Sequence, residues 1–442
     1  MPLLATDLDL TSNSYYVATA GTAACHGRLD RSTTCDVAVV GGGLAGLSAA
    51  LDLRQRGLDV VLLEAQQVGF GASGRNGGQA IHGLACDQQV IEQQLGLDAS
   101  RQVWDMSIQA LDLLRERIRD HAIDCDWQDG YLSLATSASK GCTLADWATR
   151  MQTVYGYALQ HIAPAEIGRW IDSPRFHSGI HDPRSGHLHP LKYTRGLARA
   201  AAAAGVRIHE NTPVTALVQG EAALLRTAAG EVRARQVLLA GNVYLQGLAP
   251  ALQPRIMPVG TYIACSETLD ATLAASLIPS RSAVCDTNVV LDYFRTTPDN
   301  RMLYGGRVSY STVTPAHLAD SLRQRMVRSF PQLAQARVDY AWGGFVDISM
   351  NRAPDFGRLP AVRPGGAQNV YYLQGFSGHG LALTGLAGRL VAEAMMGDAS
   401  RFDVFARLRH RNFPGGALLR TPALVLGMAW YRLRDMLGRK AL

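Results

Sequence analysis

The chain has 442 residues, 47% of them apolar and 18% charged, and a net charge of +6 carried almost entirely by arginine. That is material for two or three ordinary domains with buried cores, and it excludes a disordered or collagen-like chain. No run approaches the roughly 20 apolar residues of a membrane span, and "MPLLATDLDLTSNSYYVATA" lacks the basic and apolar regions of a secretory signal, so a cytoplasmic protein without a transmembrane segment is expected.

Residues 1–34 are polar and rich in small side chains, and read as a lead-in arm. "CDVAVVGGGLAGLSAALDLRQRGLDVVLLEA" then reads as strand, glycine turn, helix and strand. Val37 to Val40 form a short apolar run, as a strand buried on both faces requires. Residues 47–56 carry helix formers, Gly57 can end that helix, and Leu58 to Glu64 make the next strand, giving a parallel βαβ unit. Apolar positions three and four apart predict helix over 88–122. Short strands follow from Asp124 in "DCDWQDGYLSLATS", then a helical stretch around 142–170, then "SGHLHPLKYTRGLARAAAAAGVRIHE", ending as helix, Gly205 and strand. Strand-like runs continue through "RQVLLAG", "TYIACSE", "VLDYFRTT" and "MLYGGRVSY"; a helix is predicted at 315–329, and "NVYYLQGFSGHGLALTGLAGRLVAEAMMGD" reads as strand, glycine loop and helix.

Nucleotide-fold strands therefore open the chain and return at 206–241 and 370–395. The fold class is α/β (α+β overall): a Rossmann-like dinucleotide domain built from discontinuous segments, with an inserted, mainly antiparallel sheet domain. The expected division assigns 35–122, 185–250 and 341–405 to the first domain, 123–184 and 251–340 to the second, and 406–442 to a C-terminal extension. The seven cysteines are scattered and form no CxxC, so reduced thiols are expected, with neither disulfide framework nor metal site. Dense basic charge is nowhere interleaved with aromatics, so nucleic acid is not an expected partner.

Gly41-x-Gly43-x-x-Gly46 sits between a predicted strand and helix, and Glu64 follows Gly46 by eighteen residues. In that context Gly41 makes the tight turn, Gly43 admits a pyrophosphate to the backbone and Gly46 lets the helix pack on the sheet. The helix N-terminus that follows offers free N–H groups and dipole to phosphate, with Leu44 and Ala45 among the expected binding residues, while Glu64, with Ala65 after it, can receive ribose hydroxyls. The motif alone does not separate NAD from FAD. "GFGASGRNGGQ" does: a long glycine loop through Ser73, Gly74, Arg75, Asn76, Gly77 and Gly78 to Gln79 would let the backbone follow a larger cofactor toward its ring system. Two further pieces suit the same cofactor: Ala240-Gly241, ending an apolar strand, and the loop Gly375, Ser377, Gly378, His379, Gly380, opening a helix whose N-terminus would stabilise a reduced, anionic flavin.

Together with "SGHLHPL", "MLYGGRV" and the tail "RFDVFARLRHRNFPGG", these segments resemble the FAD-dependent amine and amino-acid oxidases of the D-amino-acid oxidase superfamily, nearly end to end. The resemblance implies FAD as cofactor, with Val214 added to the residues named above as a binding residue and with Gln79 and His379 at the catalytic end. It implies hydride transfer from the carbon of an uncharged amine to flavin N5, giving aldehyde, ammonia and, with oxygen, hydrogen peroxide. The substrate it points to is gamma-glutamylputrescine or a related acylated polyamine. The alternative is a dehydrogenase passing electrons to a quinone or partner subunit at the membrane.

Departures from the family pattern sharpen this. Relatives acting on small amino acids carry a carboxylate-binding lysine where Ala382 stands. The stretch "DISMNRAPD" lacks the cysteine that tethers flavin in some relatives, which implies noncovalent FAD. Of Lys140, Lys192 and Lys440, Lys192 alone is a candidate for an oxygen-activating lysine, and it reads more simply as a helix-start surface residue. His82, Trp342 and Tyr304 are candidate pocket walls, Arg295 and Arg352 candidates for a distal carboxylate, and the basic amphipathic "LVLGMAWYRLRDMLGRK" is expected to pack on the protein rather than on a membrane.

Overall fold

The computed structural model describes residues 9–11, 13–288, 290–309 and 317–414. The apolar runs that begin the chain form the centre of a mostly parallel sheet. Its main order is Asp355–Arg358, Val370–Gln374, Glu231–Leu239, Thr33–Val40, Val60–Leu63, Arg207–His209. All neighbours on this path are parallel except the antiparallel edge strand Asp355–Arg358, and a hairpin of Ala216–Val218 and Ala223–Arg226 leads off Glu231–Leu239. Both faces of the central strands are covered, which is why Val37–Val40 and Val60–Leu63 are uninterrupted apolar runs. Helices Leu44–Gln55 and Gly380–Met395 share one face and touch through small residues: a Cβ on Gly388 would lie 2.6 Å from the Ala49 nitrogen.

The second sheet has nine strands. Its order is Val338–Ser349, Ile256–Ser266, Met302–Ser309, Tyr293–Thr296, Ala283–Asp286, Gln128–Ala135, Ser178–His187, Gln79–Ala80, with Gln160–Ile162 paired to Ser178–His187. The pairs are antiparallel except that of Ala283–Asp286 with Gln128–Ala135. Period-two alternation divides its side chains. Leu132, Leu134, Val284, Phe294, Met302 and Tyr304 pack with Met326 of helix Leu318–Ser329 and with Phe330 just after it, while Tyr131, Ala283, Cys285 and Tyr293 turn to the other face and meet Ile81.

Three details differ from the sequence reading. The predicted helix over 88–122 is two helices, Gln88–Leu95 and Leu97–Asp120, divided at Gly96, whose φ of +83° a helix cannot contain. The stretch around 142–170 is helix Ala138–Tyr155, closed by left-handed Gly156, then strand Gln160–Ile162 and the 3-10 turn Pro164–Arg169. Strands Ser178–His187 and Val338–Ser349 straddle the divisions expected at 184/185 and 340/341; we place each whole in the second sheet, together with Gln79–Ala80.

Within the described part of the lead-in arm, Tyr16 is fully buried, its ring edge-on to Trp342 at 5.1 Å. All seven cysteines are free. Among the described residues, no helix is long and apolar enough to cross a membrane. The amphipathic segment 424–440 lies outside the described residues.

Candidate active site

The parallel register brings four expected segments to one edge. Val40 is aligned with Leu63 and Leu239, and Leu239 with Tyr372, so the carboxyl ends of the four strands lie side by side. Gly41–Gly46, Glu64–Ala65, Ala240–Gly241 and Gly375–Gly380 all follow directly from those ends, where open α/β sheets bind their ligands. Three inter-strand steps, roughly 14 Å, separate Glu64 from the Gly375 loop. That span suits an extended dinucleotide.

Within this row the glycines are used for close approach. Gly41 has φ +114°, and a Cβ there would lie 2.6 Å from the Ala240 oxygen; one on Gly46 would lie 2.0 Å from the Gly41 oxygen. The Glu64 carboxylate accepts the Gly42 N–H at 2.6 Å and the Gln66 N–H at 2.8 Å. Burial pushes its pKa up, against those two N–H groups. Ser73 Oγ accepts the Leu44 N–H at 3.0 Å, so the glycine loop caps the dinucleotide helix. Side chains at Gly42 or Gly43 would fill the gap between helix N-terminus, Glu64 and Ser73, reaching Glu64 Cβ at 3.0 Å and Ser73 Oγ at 2.8 Å respectively. Ala45 and Gly46 are buried in the first helical turn, Gly74 approaches Gly69 and Leu191, and Val214 packs at the margin of the core beyond Leu63.

The rest of the loop is stapled in place. Asn76 donates to the Ala72 and Ser73 carbonyls and accepts the Gly78 N–H at 2.8 Å. Arg75 is buried over the Phe70 ring, and its carbonyl receives Trp342 Nε1 at 3.0 Å. Gly78, at φ +76°, has no room for a side chain, since a Cβ would meet the Leu188 oxygen at 2.2 Å. Gln79 lies over the second sheet: its amide donates to the Val284 carbonyl at 3.1 Å, and its oxygen receives Cys285 Sγ at 3.0 Å.

The opposite loop has its own anchor. Asp347 accepts the Gly375 N–H through its carboxylate and the Ser377 N–H through its carbonyl, the latter at 2.9 Å. Burial raises the Asp347 carboxyl to about 7. Ser377 and Gly378 take positive φ, and a Cβ on Gly378 would meet nothing within 4 Å, so this backbone faces open space. His379 caps the helix that Gly380 begins, and its Nε2 lies 2.8 Å from the His82 carbonyl. Burial lowers His379 to about 4, so the ring is neutral at neutral pH and, with a carbonyl beside it, carries its proton on Nε2. Gln79 and His379, expected from sequence to act together, are thus joined through the four-residue segment Gln79–His82.

This geometry fits FAD: a helix N-terminus for the pyrophosphate, an acid at the ribose position, a backbone-lined path along the strand ends, and two glycine loops converging at its far end. Residues 36–394 match the sequence model of the family described as FAD dependent oxidoreductase, DAO. The chain belongs to that family. As a member of the FAD-dependent oxidoreductases it is 43% identical over 428 residues to the gamma-glutamylputrescine oxidoreductase of Escherichia coli K12, an alignment covering 97% of this chain and 99% of the relative. Its fold matches glycine oxidase from Geobacillus kaustophilus with TM-score 0.69 at 22% identity, covering 82% of this chain and 95% of that one. L-proline dehydrogenase from P. horikoshii matches with TM-score 0.70 at 18% identity, over 86% and 98%. The protein is an FAD-dependent oxidoreductase.

Several residues suggested by the sequence lie elsewhere. Arg295 is buried and spends its guanidinium on the Gly77 carbonyl at 3.0 Å, the Leu188 carbonyl at 3.1 Å and Tyr16 Oη at 3.2 Å, while Arg352 is exposed. Arg295 therefore braces the loop instead of offering itself to a substrate carboxylate. Tyr304 is on the face turned from Gln79, stacked on Phe294 and bonded to Ser329. Lys192 is paired with Asp126 at 3.0 Å. Sequence reasoning missed Asp347, Asp182 and Cys285. An acid set inside an otherwise apolar strand, as in "GGFVDIS" and "GIHD", is the signal that could have found the first two.

Proposed function

We propose that this chain catalyses FAD-dependent oxidative deamination of an amine, with gamma-glutamylputrescine or a related acylated polyamine as substrate. The observation that carries the reading is the junction of Gln79 with the Gly375–Gly380 loop, beside a wall of Tyr131, Tyr293, Ile81 and Leu291. Such a wall accepts an aliphatic chain and excludes water. Ala382 adds an apolar side chain where a clamp for a small amino acid's carboxylate would need a cation, and it is 4% exposed. The identity to the Escherichia coli relative supports the choice among amines.

When bound, FAD supplies an acceptor for the hydride on the carbon bearing nitrogen. The chain's own residues do the rest. Gly41, Gly43, Leu44 and Ser73 would hold the pyrophosphate, Glu64 the ribose, and the backbone from Arg75 to Gln79 the approach to the ring. Gln79 orients the reacting end of the amine with its amide, and His379, neutral and held by the His82 carbonyl, fixes the opposite loop. Tyr131, whose pKa burial raises well above 10, stays protonated and lines the site without charge. Hydrolysis of the resulting imine yields aldehyde and ammonia, and oxygen is the terminal acceptor, giving peroxide. A cytoplasmic location and noncovalent FAD belong to the same proposal.

The test is an anaerobic screen of flavin bleaching across amines, N-acylated polyamines and amino acids, followed by admission of oxygen and a peroxide assay. Fastest bleaching by an acylated polyamine, with peroxide formed, is expected. Fastest bleaching by glycine or sarcosine would overturn the substrate assignment, and bleaching without peroxide on readmission of oxygen would overturn the oxidase.

A further inference from the structure

His82 occupies an unusual position for a buried histidine. Its Nδ1 lies 2.6 Å from Asp182 Oδ2, and Asp182 also receives the Tyr157 hydroxyl at 2.9 Å, the Ser185 hydroxyl at 2.5 Å and the Arg184 N–H at 3.0 Å. Burial alone would raise the Asp182 carboxyl, but these bonds, His82's first among them, outweigh it and hold the group down at about 2. A carboxylate so held stays ionised and requires the imidazole proton on Nδ1. The lone pair of Nε2 is then free. Nε2 has no hydrogen-bond partner among the described residues and is not a sealed atom, while the side chain keeps 9% of its surface open.

The surroundings suit a cationic amine. The rings of Trp104, Trp147, Tyr131 and Tyr157 stand 5.4–6.0 Å from the imidazole, and aromatic faces attract ammonium groups. The Trp104 Nε1–H, on a residue 3% exposed, has no acceptor among the described residues; as a donor it suits the lone pair of the amine once deprotonated, not the ammonium. Tyr131 belongs to the same wall as Ile81 and Tyr293, and the His82 carbonyl is the atom that holds His379. The dyad is therefore attached directly to the reacting end of the candidate site.

We propose that His82, oriented by Asp182, takes the proton from the substrate ammonium and so delivers the free amine that oxidation requires. The N–H bond of the ammonium breaks, an Nε2–H bond forms, the nitrogen keeps its electron pair, and nothing is oxidised or reduced in this step. The proton leaves to solvent between turnovers. Aliphatic amines are almost wholly protonated at neutral pH, so a site without a base must wait for the rare free base. The titratable groups facing His82 are Asp182 on its neighbouring strand, Tyr131, Tyr157 and His379, with the Arg184 guanidinium beyond, over the Tyr157 ring; helices Leu97–Asp120 and Ala138–Tyr155 contribute Trp104 and Trp147. Both tyrosines are pushed upward and stay protonated, and His379 is pushed downward with its Nε2 committed to the His82 carbonyl, which leaves His82 Nε2 as the acceptor open to the substrate nitrogen.

This inference rests on the amine reading above. The experiment uses flavin-loaded wild type, His82→Gln and Asp182→Asn, each checked for an intact flavin spectrum, with gamma-glutamylputrescine as reductant. In wild type, the bimolecular rate of anaerobic flavin reduction should reach a plateau well below the pKa of the free amine. In either variant the plateau should vanish, the rate at pH 7.5 should fall about 10²–10⁴-fold, and it should climb toward the pKa of the free amine. A binding readout accompanies it: calorimetry in two buffers with an analogue whose α-carbon carries two methyls and no hydrogen. Wild type should bind without net proton release at pH 7.5, and His82→Gln should release about one proton or bind at least tenfold more weakly. A profile and proton count unchanged in both variants would overturn the proposal while leaving amine oxidation standing. Failure of any amine to bleach the wild-type flavin would instead sink the amine reading, and the proposal with it.

Discussion

Replacing Arg295 with methionine separates two roles for a cation in this site. The buried guanidinium donates to the carbonyls of Gly77 and Leu188 and to Tyr16 Oη. Met keeps an unbranched apolar stem but leaves two buried carbonyls without their donor, each costing about 1–3 kcal/mol. Taking 1.5 kcal/mol for each gives about 3 kcal/mol against the ordered form of the 75–79 loop, which at 1.4 kcal/mol per decade is roughly a 100-fold loss of FAD affinity. The assay is a fluorescence titration of the apoprotein with FAD, followed by KM for two amines, one bearing a distal carboxylate and one lacking it, at saturating FAD. FAD binding should weaken by about two orders of magnitude, and the two KM values should change by the same factor. Unchanged FAD affinity, with KM raised only for the carboxylate-bearing amine, would refute the bracing role.

Ser73→Ala removes the acceptor of the Leu44 N–H; the apoprotein should lose about 1 kcal/mol in chemical unfolding, and Ser73→Thr should restore most of it. Burial lowers His189 to about 3, below the ordinary value of about 6.5. Its unfolded form therefore binds the proton first, so its contribution to stability is present above about pH 6.5 and is lost as pH falls toward 3. His189→Gln should accordingly flatten the acid side of the melting-temperature profile, whatever it does at pH 8. Acid precipitation should release all flavin into the supernatant and leave a colourless pellet, since "DISMNRAPD" offers no cysteine; a yellow pellet would contradict noncovalent binding.

Much of the cofactor row was legible because its determinants are local. Gly41 and Gly46 are glycines for reasons a neighbouring strand end or helix turn dictates, and apolar runs such as Val37–Val40 reveal a strand covered on both faces. Helix ends were less legible: Gly96 and Gly156 end helices through their left-handed backbone, yet read as ordinary residues within an apolar periodicity. The polar machinery of the second sheet was hidden for another reason. Asp182 is a hundred residues from His82, and Arg295 more than two hundred from Gly77; they meet only once the antiparallel register has formed. The same register decides that Tyr304 turns away from Gln79 while Tyr293 turns toward it, since a one-residue shift exchanges the faces of a strand.

The most direct test of the central claim is rapid-mixing anaerobic reduction of the purified flavoprotein by gamma-glutamylputrescine, putrescine, glycine and sarcosine at equal concentration. Loss of the flavin's visible absorbance should be at least about tenfold faster with gamma-glutamylputrescine than with any of the others. Reduction by sarcosine or glycine at an equal or greater rate would contradict the account.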